Sequence, residues 1–177
     1  MTLVVCSLAN LDEVILTRRP SHVITLLSGG LMIGPLAAFG PDRHLRLAVD
    51  DIHEPIAGMV APDEATVEQV LAFGHAWDGA APMIVHCFAG VSRSSASALA
   101  IACARNPDVD ELVITTALRR LAPHVFPNRR ITAIADAMLG RQGRLIAAVE
   151  AMGADDLEAP KRPVELPSDF RAHARAP

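Results

Sequence analysis

A chain of 177 residues that is 51% hydrophobic and 20% charged has the composition of one soluble globular domain. At that length about 70% of the unfolded surface is buried on folding, enough for a sizeable core and too little for two full domains. A net charge of −4 supplies no overall attraction to nucleic acid or to an anionic membrane, and a mean hydropathy of +0.30 excludes disorder for the bulk of the chain.

Leu3 to Leu8 is an apolar run expected as a buried first strand, and the residues before it lack the basic leader of a secretory signal. Asn10 to Arg18 fits a short helix, with Asp12 and Glu13 in its first turn and Pro20 as its stop. His22 to Leu27 is a second β-rich run ended by Ser28-Gly29-Gly30. Leu45 to Val49 alternates apolar and polar and leads into Asp50-Asp51, which places two carboxylates at a strand's C-terminal end. From Asp63, a helix cap, to about Ala76, the residues Val67, Val70, Leu71 and Phe73 recur at helical spacing. Met83 to His86 is a short strand running into Cys87, and Ser94 to Ala104 is a small-residue helix stopped by Pro107. Further helices are expected over Glu111 to Arg120, Arg129 to Leu139 and Gly143 to Met152.

That order predicts a single α/β domain with a central mixed or parallel sheet flanked by helices. Residues 1–157 are expected to form the domain, with 158–177 a Pro-rich, flexible C-terminal tail. No apolar run reaches the ~18 residues of a membrane span. Cys6, Cys87 and Cys103 are odd in number and lack CxxC spacing, which argues against a disulfide framework or structural zinc and suits a reducing, cytoplasmic location.

The segment Ile84-Val85-His86-Cys87-Phe88-Ala89-Gly90-Val91-Ser92-Arg93-Ser94-Ser95 carries the chemistry. A cysteine closes a strand, an arginine comes six positions later, and a helix begins at once. Successive amides of such a loop form an anion-binding nest, and the helix N-terminus adds about half a positive charge. Gly90 permits the backbone conformation of a tight cradle, and Arg93 offers a planar fork for two oxygens of a tetrahedral anion. The same field stabilises a thiolate at Cys87, making it a nucleophile at neutral pH. Ser94 is placed to donate to that sulfur as it leaves, and His86 to orient the loop rather than to act as a base.

His86-Cys87, five residues, then Arg93-Ser94, with Gly90 inside, resembles the signature loop of the cysteine-dependent protein tyrosine phosphatases. The chain's size resembles the compact dual-specificity branch. The resemblance implies a strand–P-loop–helix active site, no metal or cofactor, and hydrolysis of a phosphomonoester through a phosphocysteine. It also implies an aspartic acid some thirty-odd residues before the cysteine, which maps onto Asp51, with Asp50 as the competitor. Asn128, in Pro127-Asn128-Arg129-Arg130, falls where related enzymes brace the loop or position water. The implied partner is a phosphorylated protein or a small phosphomonoester, phosphotyrosine being favoured because Phe88 to Ser92 holds no lysine. Nucleic acid and membrane are not expected as partners, and the number of subunits is not legible.

Plainer roles compete for several of these residues. Asp50 and Asp51 suit a turn after a strand, Asn128 suits a helix cap, and Cys6 and Cys103 suit core packing. His44, His53, His75, His124 and His173 show no ligand pairing, and Arg119 and Arg120 suit a solvated last helical turn. Two other functions share the anion loop: a phosphate-binding module without turnover, and a rhodanese-like sulfurtransferase, which the His86, Arg93 and Ser94 pattern fits less well.

Overall fold

The central strand of the sheet is the run that reads as most apolar. In the computed structural model, which describes residues 1–171, that strand is β4 (Met83–Cys87), buried at all five positions. Continuous burial is what a strand covered on both faces requires. It lies between β1 (Thr2–Ser7) and β2 (His22–Leu27), parallel to both. β3 (His44–Ala48) pairs in parallel with β2, so four parallel strands end at one rim.

A fifth strand, β5 (Val164–Pro167), runs antiparallel along the free edge of β1 and completes the order β3-β2-β4-β1-β5. It corrects the expectation of a flexible tail over 158–177. Val164 and Leu166 alternate with exposed Glu165 and point into the core, and Phe170 beyond them is 1% exposed. Three prolines masked a strand that needs only one partner, since an edge tolerates proline, which has no N–H, at positions where the ladder calls for no donor. Residues 172–177, including His173 and the end of that expected tail, lie outside the described residues.

The helices divide between the two faces. α1 (Leu11–Arg18) covers one face, where Leu11 and Val14 meet Val4, Cys6, Val23 and Ile84. The other face carries α2 (Glu64–Ala76), α3 (Arg93–Arg105), α4 (Glu111–Leu121), α5 (Arg129–Met138) and α6 (Arg144–Ala151) over the larger core. α3 packs against β4, α2, α4 and α5, which explains a sequence of Ser and Ala with no polar stripe: a helix surrounded on all sides must be small or apolar all round. At Gly74 of α2 an added Cβ would meet the Ile101 side chain of α3 at 2.8 Å, so the glycine makes room for that side chain between the two helices.

Among the described residues no helix is long and apolar enough to cross a membrane. Asp63 caps α2 as expected, accepting the Thr66 N–H at 2.8 Å. Arg119 departs from the solvated role expected of it. Its guanidinium donates to the carbonyls of Pro123, Val125 and Met152, tying α4 to the segment before α5 and to the end of α6.

Candidate active site

Parallel strands place their carboxyl ends, and the loops beyond them, at one rim of the sheet. Cys87 closes the central strand there, and the chain turns through Phe88 to Ser92 into α3. The turn is held from outside by its carbonyls. Phe88 O accepts the Leu8 N–H, Val91 O the Phe126 N–H, and Ser92 O the N–H groups of Asn128 and Ala96. Three of the loop's carbonyls are thus tied to the surrounding chain, while none of its amides from Phe88 to Ser92 donates to a protein acceptor among the described residues. Free N–H groups at a helix N-terminus are the kind of donor with which proteins hold anions.

Gly90 makes the curl possible. Its φ is +71°, and a Cβ there would stand 2.6 Å from the Ser7 amide nitrogen and 2.7 Å from the Cys6 carbonyl carbon. The loop therefore rests on the end of β1, and only glycine fits between them.

Cys87 is 1% exposed, and its Sγ shares a hydrogen bond with Ser94 Oγ at 3.2 Å. Arg93 is 5% exposed, an unusual depth for a cation. One end of its guanidinium donates to the Val49 carbonyl at 2.7 Å, while its Nε has no hydrogen-bond partner. A buried guanidinium nitrogen without a hydrogen bond is uncommon, and the group facing it here is the Asp51 carboxylate.

Asp51 stands over this cradle. Its Oδ1 accepts from Ser92 Oγ at 2.7 Å and from Asn128 Nδ2 at 2.9 Å, and its Oδ2 lies 3.8 Å from Arg93 Nε. Asp50 is engaged elsewhere. The Ser28 hydroxyl and the Val60 N–H hold its carboxyl below the usual carboxylate range, and it pins the loop after β3 to the loop after β2. Asn128 joins the two roles open to it: Oδ1 caps α5 by accepting from Arg130 and Ile131, and Nδ2 reaches Asp51. Asn128 thus fastens the start of α5 to the loop and to the segment after β3.

His86 alternates with Cys87 along β4 and so faces the opposite side of the sheet, fully buried. Burial pushes its imidazole down to about 4, with nearby His44 adding to the effect. Its Nε2 meets Thr25 Oγ1 at 2.7 Å, and Thr25 meets His44 Nε2 at 2.9 Å. Sequence patterning missed both Thr25 and His44. Thr25 is a polar residue inside an otherwise apolar run from Val23 to Leu27, and His44 opens β3 two residues after Asp42, which are weak signals without the pairing of β2 with β3 and β4.

Burial raises the Cys6 and Cys103 thiols to about 12, in keeping with core packing. Cys6 belongs to the α1 face of the sheet and Cys87 to the other.

No family model matches the chain, and no curated protein resembles it in sequence. Solved structures do resemble it in fold. PTPMT1 in complex with PI(5)P aligns at a TM-score of 0.60 and 15% identity, over 86% of this chain and 95% of that one. DUSP15 aligns at 0.59 and 18% identity, over 87% and 94%. A second PTPMT1 structure aligns at 0.55 and 15% identity, over 85% and 95%. With its five-stranded mixed sheet, six helices and strand–loop–helix at Cys87, the chain has the single-domain α/β fold of the compact dual-specificity-like cysteine phosphatases.

Proposed function

We propose that this protein is a cysteine-dependent phosphomonoesterase of the tyrosine or dual-specificity type. The observation that carries the proposal is the buried Arg93, whose Nε makes no hydrogen bond, at the end of a loop that Cys87 opens and whose five amides donate to no protein acceptor among the described residues. The substrate's phosphoryl group occupies the cradle, and the Cys87 thiolate attacks phosphorus from below. As the S–P bond forms, the P–O bond to the leaving group breaks, and that oxygen takes a proton from Asp51. Arg93 and the loop amides hold the charge on the equatorial oxygens through the displacement. Water then attacks the phosphocysteine, Asp51 accepts its proton, and the S–P bond breaks to release phosphate and the thiolate. The N-terminus of α3 and the Ser94 hydroxyl meet the charge on the departing sulfur.

Asp51 is favoured over Asp50 because it alone touches the loop. Among substrates, phosphotyrosine in a protein fits best, since the loop interior lacks a lysine for a polyphosphorylated head group. The PI(5)P bound to PTPMT1 supports a singly phosphorylated lipid head group as the rival. Three free cysteines are consistent with a reducing, cytoplasmic setting. A second reading, phosphate binding without turnover, is favoured by the approach of Asp51 to Arg93, where the carboxylate competes for the anion's own partner.

Purified protein with a chelator present is expected to hydrolyse p-nitrophenyl phosphate, and Cys87→Ser to abolish turnover while keeping phosphate binding. Undiminished hydrolysis by Cys87→Ser overturns the mechanism. Phosphate binding by a wild-type protein that releases no product supports the second reading.

A further inference from the structure

We propose that Thr25 and His44 are positioning residues for the Cys87 loop. In this proposal they form a one-way hydrogen-bond relay that runs from the Leu36 amide through His44 and Thr25 to His86, and it fixes which ring nitrogen His86 turns toward Cys87. The relay itself stands on geometry alone; its effect on turnover rests on the reading of Cys87 as the nucleophile.

The direction is set by the one donor whose identity is never in question. The Leu36 N–H can only donate, and it does so to His44 Nδ1 at 3.2 Å. That nitrogen must present a lone pair, so His44 carries its proton on Nε2. His44 Nε2–H then donates to Thr25 Oγ1 at 2.9 Å. The Thr25 hydroxyl keeps its own proton, and the acceptor within reach is His86 Nε2 at 2.7 Å. His86 is left with its proton on Nδ1, the ring nitrogen that makes no hydrogen bond, in the residue that immediately precedes Cys87. All three side chains are buried: Thr25 and His86 at 0% exposure and His44 at 8%.

The relay works only while both rings are neutral, because a proton on His44 Nδ1 would oppose the Leu36 N–H. Burial and Arg46 lower His44, and burial and His44 lower His86, so both rings are held in the form the relay needs. The register brings the parts together: His44 pairs with Val23 and His86 with Thr25, which puts one residue from each of three adjacent strands on the same side of the sheet. Leu36 belongs to the segment after β2, whose Leu36 and Phe39 pack over the second core cluster. Order in that segment is thereby linked to the peptide unit that starts the phosphate cradle. Outer partners that set a histidine's tautomer tune sites by roughly 10–100-fold where they have been removed from metal centres, and the same logic applies to a histidine that orients a loop.

The test has two arms. In ¹⁵N-labelled wild-type protein between pH 6 and 8, long-range imidazole correlations are expected to show His44 as the Nε2–H tautomer and His86 as Nδ1–H. A proton on His86 Nε2 overturns the relay, whatever any variant does. In the second arm, Thr25→Val removes the hydroxyl at nearly constant shape. It is expected to lower kcat for p-nitrophenyl phosphate by roughly 10–100-fold with little change in KM. It should also slow iodoacetate alkylation of Cys87 at pH 6, with Thr25→Ser restoring both. A folded Thr25→Val protein that turns over and alkylates like wild type overturns the positioning role. If the wild type hydrolyses nothing while tautomers and alkylation behave as expected, the hydrolase reading fails and the relay stands.

Discussion

Cys87, Asp51 and Gly90 make separable predictions because each meets a different requirement of the site. Asp51→Asn removes the proposed proton donor but keeps the contacts to Ser92 and Asn128 near 2.7 and 2.9 Å. It is expected to slow hydrolysis of an alkyl phosphate by roughly 10²–10⁴-fold and to affect p-nitrophenyl phosphate far less, because nitrophenolate leaves without a proton. Asp50→Asn is expected to show no such dependence on the leaving group, its carboxylate being tied to Ser28 and Val60. Rates measured across a leaving-group series check both. Gly90→Ala must displace the Cys6–Ser7 backbone, and a loss of about 2–4 kcal/mol is expected in urea unfolding, together with loss of phosphate binding. Iodoacetamide at pH 7 is expected to label Cys87 and to spare Cys6 and Cys103, whose thiols burial holds protonated up to about 12. Peptide mapping reads this directly.

Among the elements, β5 is the one whose contribution the chain hides best. It closes the outer edge of β1, and the Asn106 side chain locks the residues just after β5 by donating to Ser168 O and accepting the Phe170 N–H. Because β1 also supports Gly90, the strand at the far edge and the Cys87 loop share a foundation. Phe170→Ala is expected to cost about 3–5 kcal/mol in chemical denaturation, and a chain ending at residue 163 should be less stable still, with β1 exposed as an unpaired edge. α5 is better announced in the sequence, since Asn128 before an apolar-periodic run marks a helix start. Its second bond, to Asp51, crosses seventy-seven residues and leaves no local trace.

For the molecule as a whole, the buried and half-buried histidines set the response to mild acid. His86 is held down to about 4 from an ordinary 6.5, and His44, His22 and His124 are shifted in the same direction, burial being the first cause in each. The unfolded chain therefore binds protons that the folded one refuses, so stability rises with pH through this range. The contribution is complete above pH 6.5 and is lost progressively as pH falls from 6.5 toward 4. For His86 alone it amounts to about 3 kcal/mol. Thermal melts are expected to show Tm falling steadily below pH 6.5, less steeply in a folded His44→Gln protein. A Tm independent of pH between 7 and 4.5 would contradict the burial of these rings in neutral form.

Local chemistry was enough for everything carried by a short segment. The Cys87-to-Arg93 spacing, the glycine within it, the apolar strand before and the small-residue helix after all lie in one continuous stretch, so the pattern could be read without knowing its distant partners. The helix caps at Asp63 and Asn128 and the parallel α/β order were legible for the same reason. What remained hidden depends on residues far apart being brought side by side. The choice between Asp50 and Asp51 turned on which carboxylate meets Ser92 and Asn128, and adjacent residues of like type carry no difference that periodicity can detect. The Thr25–His44–His86 relay exists only because β3, β2 and β4 pair in one register, and β5 only because β1 offers it an edge. Hydrogen-bond direction and strand pairing are properties of assembled neighbours, and only packing in three dimensions assigns them.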